Sequence, residues 1–157
     1  LHAEVLAKTQ HTATGQLVYL ATSQFFDEEM QARIDLHRQR RGGEWVLAEE
    51  PINLVETLRS FDHPDNVVLV DCLSVWVTNL IIGGHDVATA RDGLIAHLAK
   101  SISSLTFVAS ETGLGIVPDN ALSRQFRDES GRLNQMVAAA SDDVFFVTAG
   151  IAQKIKP

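Results

Sequence analysis

The run Val67-Val-Leu-Val-Asp71 decides the fold: four consecutive aliphatic residues are followed by a single carboxylate. A strand with one face in water would alternate apolar and polar residues. An unbroken apolar run instead marks a strand buried on both faces, as in a parallel sheet covered by helices on each side. Asp62-His-Pro-Asp-Asn66 precedes it as a turn, and Leu73 to Ile82 follows with helical character up to Gly83-Gly84.

The same alternation continues outward in both directions. Gln16-Leu-Val-Tyr-Leu-Ala-Thr22 is a second apolar, β-rich run, and Glu44 to Ala48 is a short third. Leu105-Thr-Phe-Val-Ala109 and Val144-Phe-Phe-Val-Thr148 predict two more strands. Between them lie helical patterns from Asp27, an N-cap residue type, to Arg41, and from Pro51 to Phe61 with Ile52, Val55 and Leu58 on one stripe. Val87 to Ser103 and Asn120 to Ala140 read as helices as well. Leu1 to Lys8 reads as a helix already under way, without a capping residue. Strands alternating with helices predict an α/β fold with a mostly parallel sheet and helices on both faces.

Bulk properties fit one domain over residues 1–157. The chain is 45% hydrophobic and carries a net charge of −7, with a mean hydropathy of +0.03. A negative chain is a poor general nucleic-acid binder, so a local cluster of arginines stands out. Cys72 is the single cysteine, which excludes a disulfide within the chain and argues against a cysteine-based zinc site. No apolar run approaches the roughly 18 residues that span a bilayer, and no secretory leader pattern is present, so the cytoplasm is the expected compartment.

In sheets of this kind ligands gather at the carboxyl ends of the strands. That rule selects Ala21-Thr22-Ser23, Asp71, Glu111 with Gly113 and Gly115, and Gly150. Asp71 resembles a Walker B acid, which holds Mg²⁺ directly or through water beside nucleotide phosphates, but a strand-ending Asp also serves as a helix cap. The glycines around Leu114 fit a loop that needs positive φ. Ser74 and Thr78, one helical turn apart, fit either ligands or hydroxyls bonded back to their own helix. Arg124, Asp128, Arg132 and Gln135 share one helix face, suited to a polar substrate groove or a salt-bridged subunit interface.

His37 lies in the stretch Ala32-Arg-Ile-Asp-Leu-His37-Arg-Gln-Arg-Arg41. An imidazole among Arg33, Arg38, Arg40 and Arg41 is placed like a nucleophile facing a polyphosphate, because guanidinium groups bind phosphate oxygens and disfavour ring protonation. A neutral ring keeps the lone pair that attacks phosphorus. The same residues also describe a solvated basic helix face.

Taken together and in order, these motifs point to one family. Ala21-Thr-Ser-Gln24, Asp27-Glu-Glu-Met with Ala-Arg-Ile and His37, Val70-Asp71-Cys, Val77-Thr-Asn-Leu80, Glu111-x-Gly-x-Gly-Ile-Val-Pro118-x-Asn120, and Phe126-Arg-Asp-x-x-Gly-Arg-x-Asn-Gln135 resemble the bifunctional adenosylcobinamide kinase / adenosylcobinamide-phosphate guanylyltransferases of cobalamin biosynthesis. The resemblance runs from Leu1-His-Ala-Glu4 to Gly150-Ile-x-x-Lys154-Ile-Lys156. It implies a P-loop NTPase-like α/β fold and a first reaction in which adenosylcobinamide is phosphorylated with ATP or GTP. It implies a second reaction in which GMP passes from GTP to that phosphate, through a guanylylated histidine that falls on His37. By the same resemblance, nucleotide contacts come from Ala21, Thr22, Ser23, Arg38, Gln39, Arg40, Arg41, Glu49 and Asp71, with Mg²⁺ at Asp71 and a homo-oligomer, a trimer, as the assembly.

Two departures accompany it. The family's first strand and Walker A loop, Gly-x-x-x-x-Gly-Lys-Ser, are missing, because the sequence begins where the following helix would be. Ser110 also stands where an Asn often precedes the glutamate. A monofunctional kinase or guanylyltransferase, or a non-catalytic nucleotide-binding protein, are the alternative readings.

Overall fold

The computed structural model describes residues 2–23 and 43–156, and its centre is a parallel sheet of four strands in the order β2-β1-β3-β4. These are β1 (Leu17–Ala21), β2 (Val46–Glu49), β3 (Val67–Asp71) and β4 (Ser104–Val108). The expected α/β architecture is present. The predicted helix over residues 27–41 lies outside the described residues.

Side-chain parity explains why the strands read as continuous apolar runs. Val18, Leu20, Val68 and Val70 face one side, where they pack with α2 (Leu54–Ser60), α3 (Leu73–Ile82), α4 (Val87–Leu98) and α5 (Ala121–Ala140). Leu17, Tyr19, Val67 and Leu69 face the other, against Ala7 of α1 (His2–Gln10). Both faces are therefore dry, and every position of β1 and β3 but the last is buried. Trp76 of α3 is 1% exposed and satisfies its indole by donating to the carbonyl of Ile52 at 2.8 Å.

Several helix ends depart from the sequence pattern, each for a local reason. The helix from Val87 ends at Leu98 rather than Ser103, because Asp62 Oδ1 draws off the next polar groups. It accepts from Ser101 Oγ at 2.7 Å, Ile102 N at 3.0 Å and Ser103 N at 3.1 Å. The helix expected from Pro51 begins at Leu54, since Glu50 Oε1 takes the Ile52 and Asn53 amides at 2.9 and 2.7 Å and holds a turn there. Asp86 and Asn120 cap α4 and α5 by accepting from Thr89 N and Ser123 N.

The strand expected at Val144 forms but does not join the parallel sheet. This β5 (Val144–Thr148) pairs antiparallel with β6 (Ile151–Lys156), a strand the sequence reading did not contain. Ala149 and Gly150 connect them with φ of 52° and 79°, the two positive values of a type I′ hairpin turn, whose twist suits a two-residue connection. Lys156 then fixes the hairpin to the end of α5, its ammonium donating to Ala138 O and Ala139 O at 3.0 Å and to Ser141 O. The ring of His2 meets that of Phe145 edge-on at 5.0 Å, tying α1 to the hairpin. Among the described residues β4 has no partner on its outer edge, and no helix is long and apolar enough to cross a membrane.

The amino edge of the sheet is held by two touching turns. Val67 N donates to Gln16 O at 2.9 Å, and Gln16 N to Asn66 Oδ1 at 2.8 Å. At Gly15 a Cβ would stand 1.7 Å from the carbonyl oxygen of Asp65, so any side chain must push two backbones apart. Gly15→Ala is expected to destabilise the fold by about 3 kcal/mol, read as a lowered urea midpoint at unchanged m-value.

His97, buried on α4, has an Nε2 without a hydrogen-bond partner among the described residues. Burial pushes its ring below the ordinary 6.5; Asp62 pulls it partly back and Arg59 adds to the lowering. The fold thus refuses a proton that the unfolded chain accepts. Stability from this residue is complete above about pH 6.5 and is lost as pH falls below it. In His97→Phe the stability lost between pH 7 and pH 5, measured by denaturant titration, is expected to shrink.

Candidate active site

The parallel register assembles the site. Ala21 pairs with Glu49 on one side and with Asp71 on the other, so the last residues of β2, β1 and β3 form one row along the carboxyl edge. At the usual strand spacing this puts the Cα atoms of Glu49 and Asp71 roughly 10 Å apart. Val108 ends β4 beside Asp71 in the same row. From there the chain leaves β1 at Ser23 and enters the segment that contains His37.

Thr22, just beyond the row, is fully buried and has every polar group engaged. Its hydroxyl donates to Cys72 O at 2.7 Å and accepts from Cys72 N at 2.9 Å. Its amide donates to Asp71 O at 3.0 Å, and its carbonyl accepts from Asn79 Nδ2 at 2.7 Å. Asn79 Nδ2 also donates to Pro51 O at 3.2 Å, so one buried amide joins α3 to the ends of β1 and β2. The structure therefore gives Thr22 a clamping role, holding Asp71 at the end of its strand. Ala21 and Ser23, on either side, are partly exposed.

Asp71 stands half-buried at the end of β3, on the face covered by α1. The phenol of Tyr19 donates to its Oδ2. α1 runs down to the turn at Gly15 and the chain then rises through β1, so the first turn of α1 lies toward the carboxyl edge, on the same face as Asp71. Helix N-termini carry free amides and partial positive charge, and a carboxylate beside one is suited to a cation that accompanies phosphates. A single carboxylate is an adequate protein contribution for Mg²⁺, which keeps waters and takes substrate phosphate oxygens as its other ligands. Among the described residues no three His, Cys, Asp or Glu side chains cluster as a self-sufficient metal site. Burial, and then the Asp71 charge, push the neighbouring Cys72 thiol up.

The wall beyond β4 is made by α3 and α5. Ser74 Oγ, at the start of α3, accepts from Ser110 N at 2.8 Å, and Asn134 Nδ2 of α5 donates to Ser110 O at 3.2 Å. Thr78 donates to Ser74 O at 3.0 Å, the back-bonded alternative of the sequence reading. The loop after Ser110 differs from expectation, since the positive-φ glycines are Gly84 and Gly150 rather than Gly113 and Gly115. Gly113 N donates instead to Glu111 Oε1 at 2.6 Å. On α5, Arg124 holds the preceding turn through Pro118 O and Asp119 O at 3.0 and 2.6 Å. Arg132 pairs with Glu129 at 2.6 Å, and Glu129 also receives Arg91 of α4 at 3.1 Å.

The structure thus brings Ala21, Thr22, Ser23, Glu49 and Asp71 to one edge. His37, Arg38, Gln39, Arg40 and Arg41 lie outside the described residues. Sequence reasoning passed over Tyr19 and Asn79. The signal for Tyr19 was present as the one polar-tipped residue in an otherwise aliphatic strand, two positions before the residue that pairs with Asp71.

A family model described as cobinamide kinase / cobinamide phosphate guanyltransferase matches residues 1–155. The chain belongs to this family. Its activities are those of a cobinamide kinase and cobinamide phosphate guanylyltransferase, working on nucleotide substrates in cobalamin biosynthesis. Two curated relatives are the bifunctional adenosylcobalamin biosynthesis proteins CobU of Escherichia coli and of Salmonella typhimurium. They are 38% and 39% identical over 170 residues, covering 99% of this chain and 92% of each relative. A third, CobP of Pseudomonas aeruginosa, is 40% identical over 140 residues, covering 88% of this chain and 81% of its own.

Thr22→Val keeps the side-chain shape and deletes both bonds to Cys72, leaving a buried amide without an acceptor. A loss of about 2 kcal/mol in denaturant unfolding is expected, with Thr22→Ser retaining most of the stability.

Proposed function

We propose that the protein phosphorylates the aminopropanol hydroxyl of adenosylcobinamide with ATP or GTP. It then transfers GMP from GTP to the resulting phosphate through a covalent intermediate on His37. The observation that carries this reading is the row Glu49-Ala21-Asp71 at the carboxyl edge, from which the chain passes directly into the segment holding His37. In the guanylyl half-reaction a neutral ring nitrogen of His37 attacks the α-phosphorus of GTP, the bond to the β-phosphate oxygen breaks, and pyrophosphate leaves. A phosphate oxygen of adenosylcobinamide phosphate then attacks the same phosphorus, the N–P bond breaks, and adenosylcobinamide-GDP forms. Splitting the transfer gives two in-line displacements, each needing positioning and charge neutralisation more than further covalent chemistry.

Arg38, Arg40 and Arg41 neutralise the triphosphate, and Gln39 adds a hydrogen-bonding side chain beside them. Ala21 and Ser23 border the nucleotide where β1 ends, with Thr22 holding that border in place. Glu49, at the end of β2, accepts from the guanine or ribose. Asp71 holds Mg²⁺, directly or through water; when bound, that ion screens charge on the phosphates.

We also infer a single nucleotide-binding unit over residues 1–157 that assembles as a homo-oligomer, a trimer by resemblance, in the cytoplasm where its nucleotides are. Leu114, Ile116, Val117 and Leu122 are all more than half exposed, an apolar surface suited to contact with another subunit.

The test uses full-length protein and GTP labelled in the α-phosphate. An acid-labile, alkali-stable protein adduct is expected, lost in His37→Ala. That variant should form adenosylcobinamide-GDP roughly a thousandfold more slowly or worse while still accumulating adenosylcobinamide phosphate. An undiminished rate in His37→Ala sinks the covalent route.

A further inference from the structure

Tyr19 sits in β1 among aliphatic neighbours, is 3% exposed, and packs with Leu17, Val67, Leu69 and Ala7. A phenylalanine would fill that space equally well, so the hydroxyl calls for a separate explanation. The register supplies one. Tyr19 and Ala21 share a face, Ala21 pairs with Asp71, and a diagonal step from Tyr19 across to β3 therefore ends on the Asp71 side chain. The phenol donates to Asp71 Oδ2, leaving Oδ1 with no hydrogen-bond donor among the described residues. The ring itself is fixed by the core and by Trp45, which meets it edge-on at 5.8 Å and 86°. A buried, immobilised aromatic thus aims its single polar atom at one oxygen of the candidate cation ligand.

We propose that Tyr19 is a positioning residue for the nucleotide-bound divalent cation, locking one Asp71 oxygen so that the other is presented at the carboxyl edge. This rests on the reading of Asp71 as the cation's carboxylate. A carboxylate at a strand end can rotate about its terminal torsion, and a cation held largely by waters and phosphates has little else to fix its position on the protein. One hydrogen bond from a rigid donor removes that freedom before the ligand arrives. Partners of this kind, which touch the ligating group and not the metal, typically contribute about 10- to 100-fold in metal affinity. Trp45 belongs to the same device, since it keeps the phenol from swinging away.

The test is Mn²⁺ binding followed by electron paramagnetic resonance in full-length protein saturated with α,β-methylene-GTP, which cannot release pyrophosphate. Nucleotide affinity is measured in parallel in EDTA. Tyr19→Phe is expected to weaken Mn²⁺ about tenfold and to leave the EDTA affinity within twofold. Asp71→Asn should weaken Mn²⁺ at least as much, and Tyr19→Phe should add nothing in the Asp71→Asn background. If Mn²⁺ binding is unchanged in Tyr19→Phe but weakened in Asp71→Asn, Tyr19 is only a packing residue and the proposal falls. An equal loss in EDTA and in Mn²⁺ means general disorder of the site and overturns it too. Mn²⁺ affinity untouched in Asp71→Asn defeats the reading of Asp71 itself, and with it this inference.

Discussion

The parallel register of β1 on β3 is the constraint on which the rest of the molecule depends. Because side chains alternate across a strand, a slip of one residue would turn Val18 and Leu20 toward α1 and move Tyr19 to the opposite face. The apolar runs alone do not forbid this, since both faces are covered and both accept aliphatic residues. Specificity comes from the polar ends. At the amino edge, Gln16 bonds Asn66 and Val67 while Gly15 lets the two turns touch. At the carboxyl edge, the Thr22 hydroxyl takes both backbone groups of Cys72. A dry two-sided sheet is thus pinned by a few hydrogen bonds outside its hydrophobic part, and the carboxyl-edge bonds are the ones that set Asp71.

Long and strongly patterned elements were readable from the sequence. β1, β3 and α3 appear where the apolar runs and the Gly83-Gly84 stop put them. Of the residues the carboxyl-edge rule selects, Ala21 and Asp71 do end parallel strands, while Gly150 instead turns the β5–β6 hairpin. What escaped were features decided by partners distant in sequence. α4 stops at Leu98 because Asp62, on another element, competes for its continuation. β6 was invisible because Ile151-Ala-Gln-Lys-Ile-Lys156 is short and half polar; it becomes a strand through its tight turn and the Lys156 anchor on α5. Tyr19 escaped for a related reason. Its hydroxyl acquires meaning only through cross-strand register, which a reading along one strand does not contain.

The site residues divide the same way. Ala21 and Asp71 were legible as strand ends. Glu49 came from the resemblance alone, because the order β2-β1-β3 that sets it in the row is not written along any one strand. The role of Thr22 was not legible, since a Thr in an Ala-Thr-Ser loop looks like a ligand contact until its hydroxyl is seen bonded to Cys72.

The acids of this chain sort by what they face. Asp62 is held below the ordinary carboxylate range: partial burial opposes this, but the donors at Ser101, Ile102 and Ser103 outweigh it. Asp86 is held down by the Thr89 hydroxyl and amide. Glu50 is occupied by the turn into α2, Glu111 by the Gly113 amide, and Glu129 by Arg91 and Arg132. Each of these is matched to amides or guanidinium groups that stay with the fold, so its charge is spent on local structure. Asp71 differs in kind, because its described donor is a neutral phenol that orients the carboxylate without cancelling its charge. Among the described residues no cationic side chain pairs with Asp71, which ends its strand at the carboxyl edge of the covered parallel sheet. The net charge of −7 sharpens that contrast. In a chain already rich in acids, the run Arg38-Gln-Arg-Arg41 is a local concentration of positive charge in the sequence.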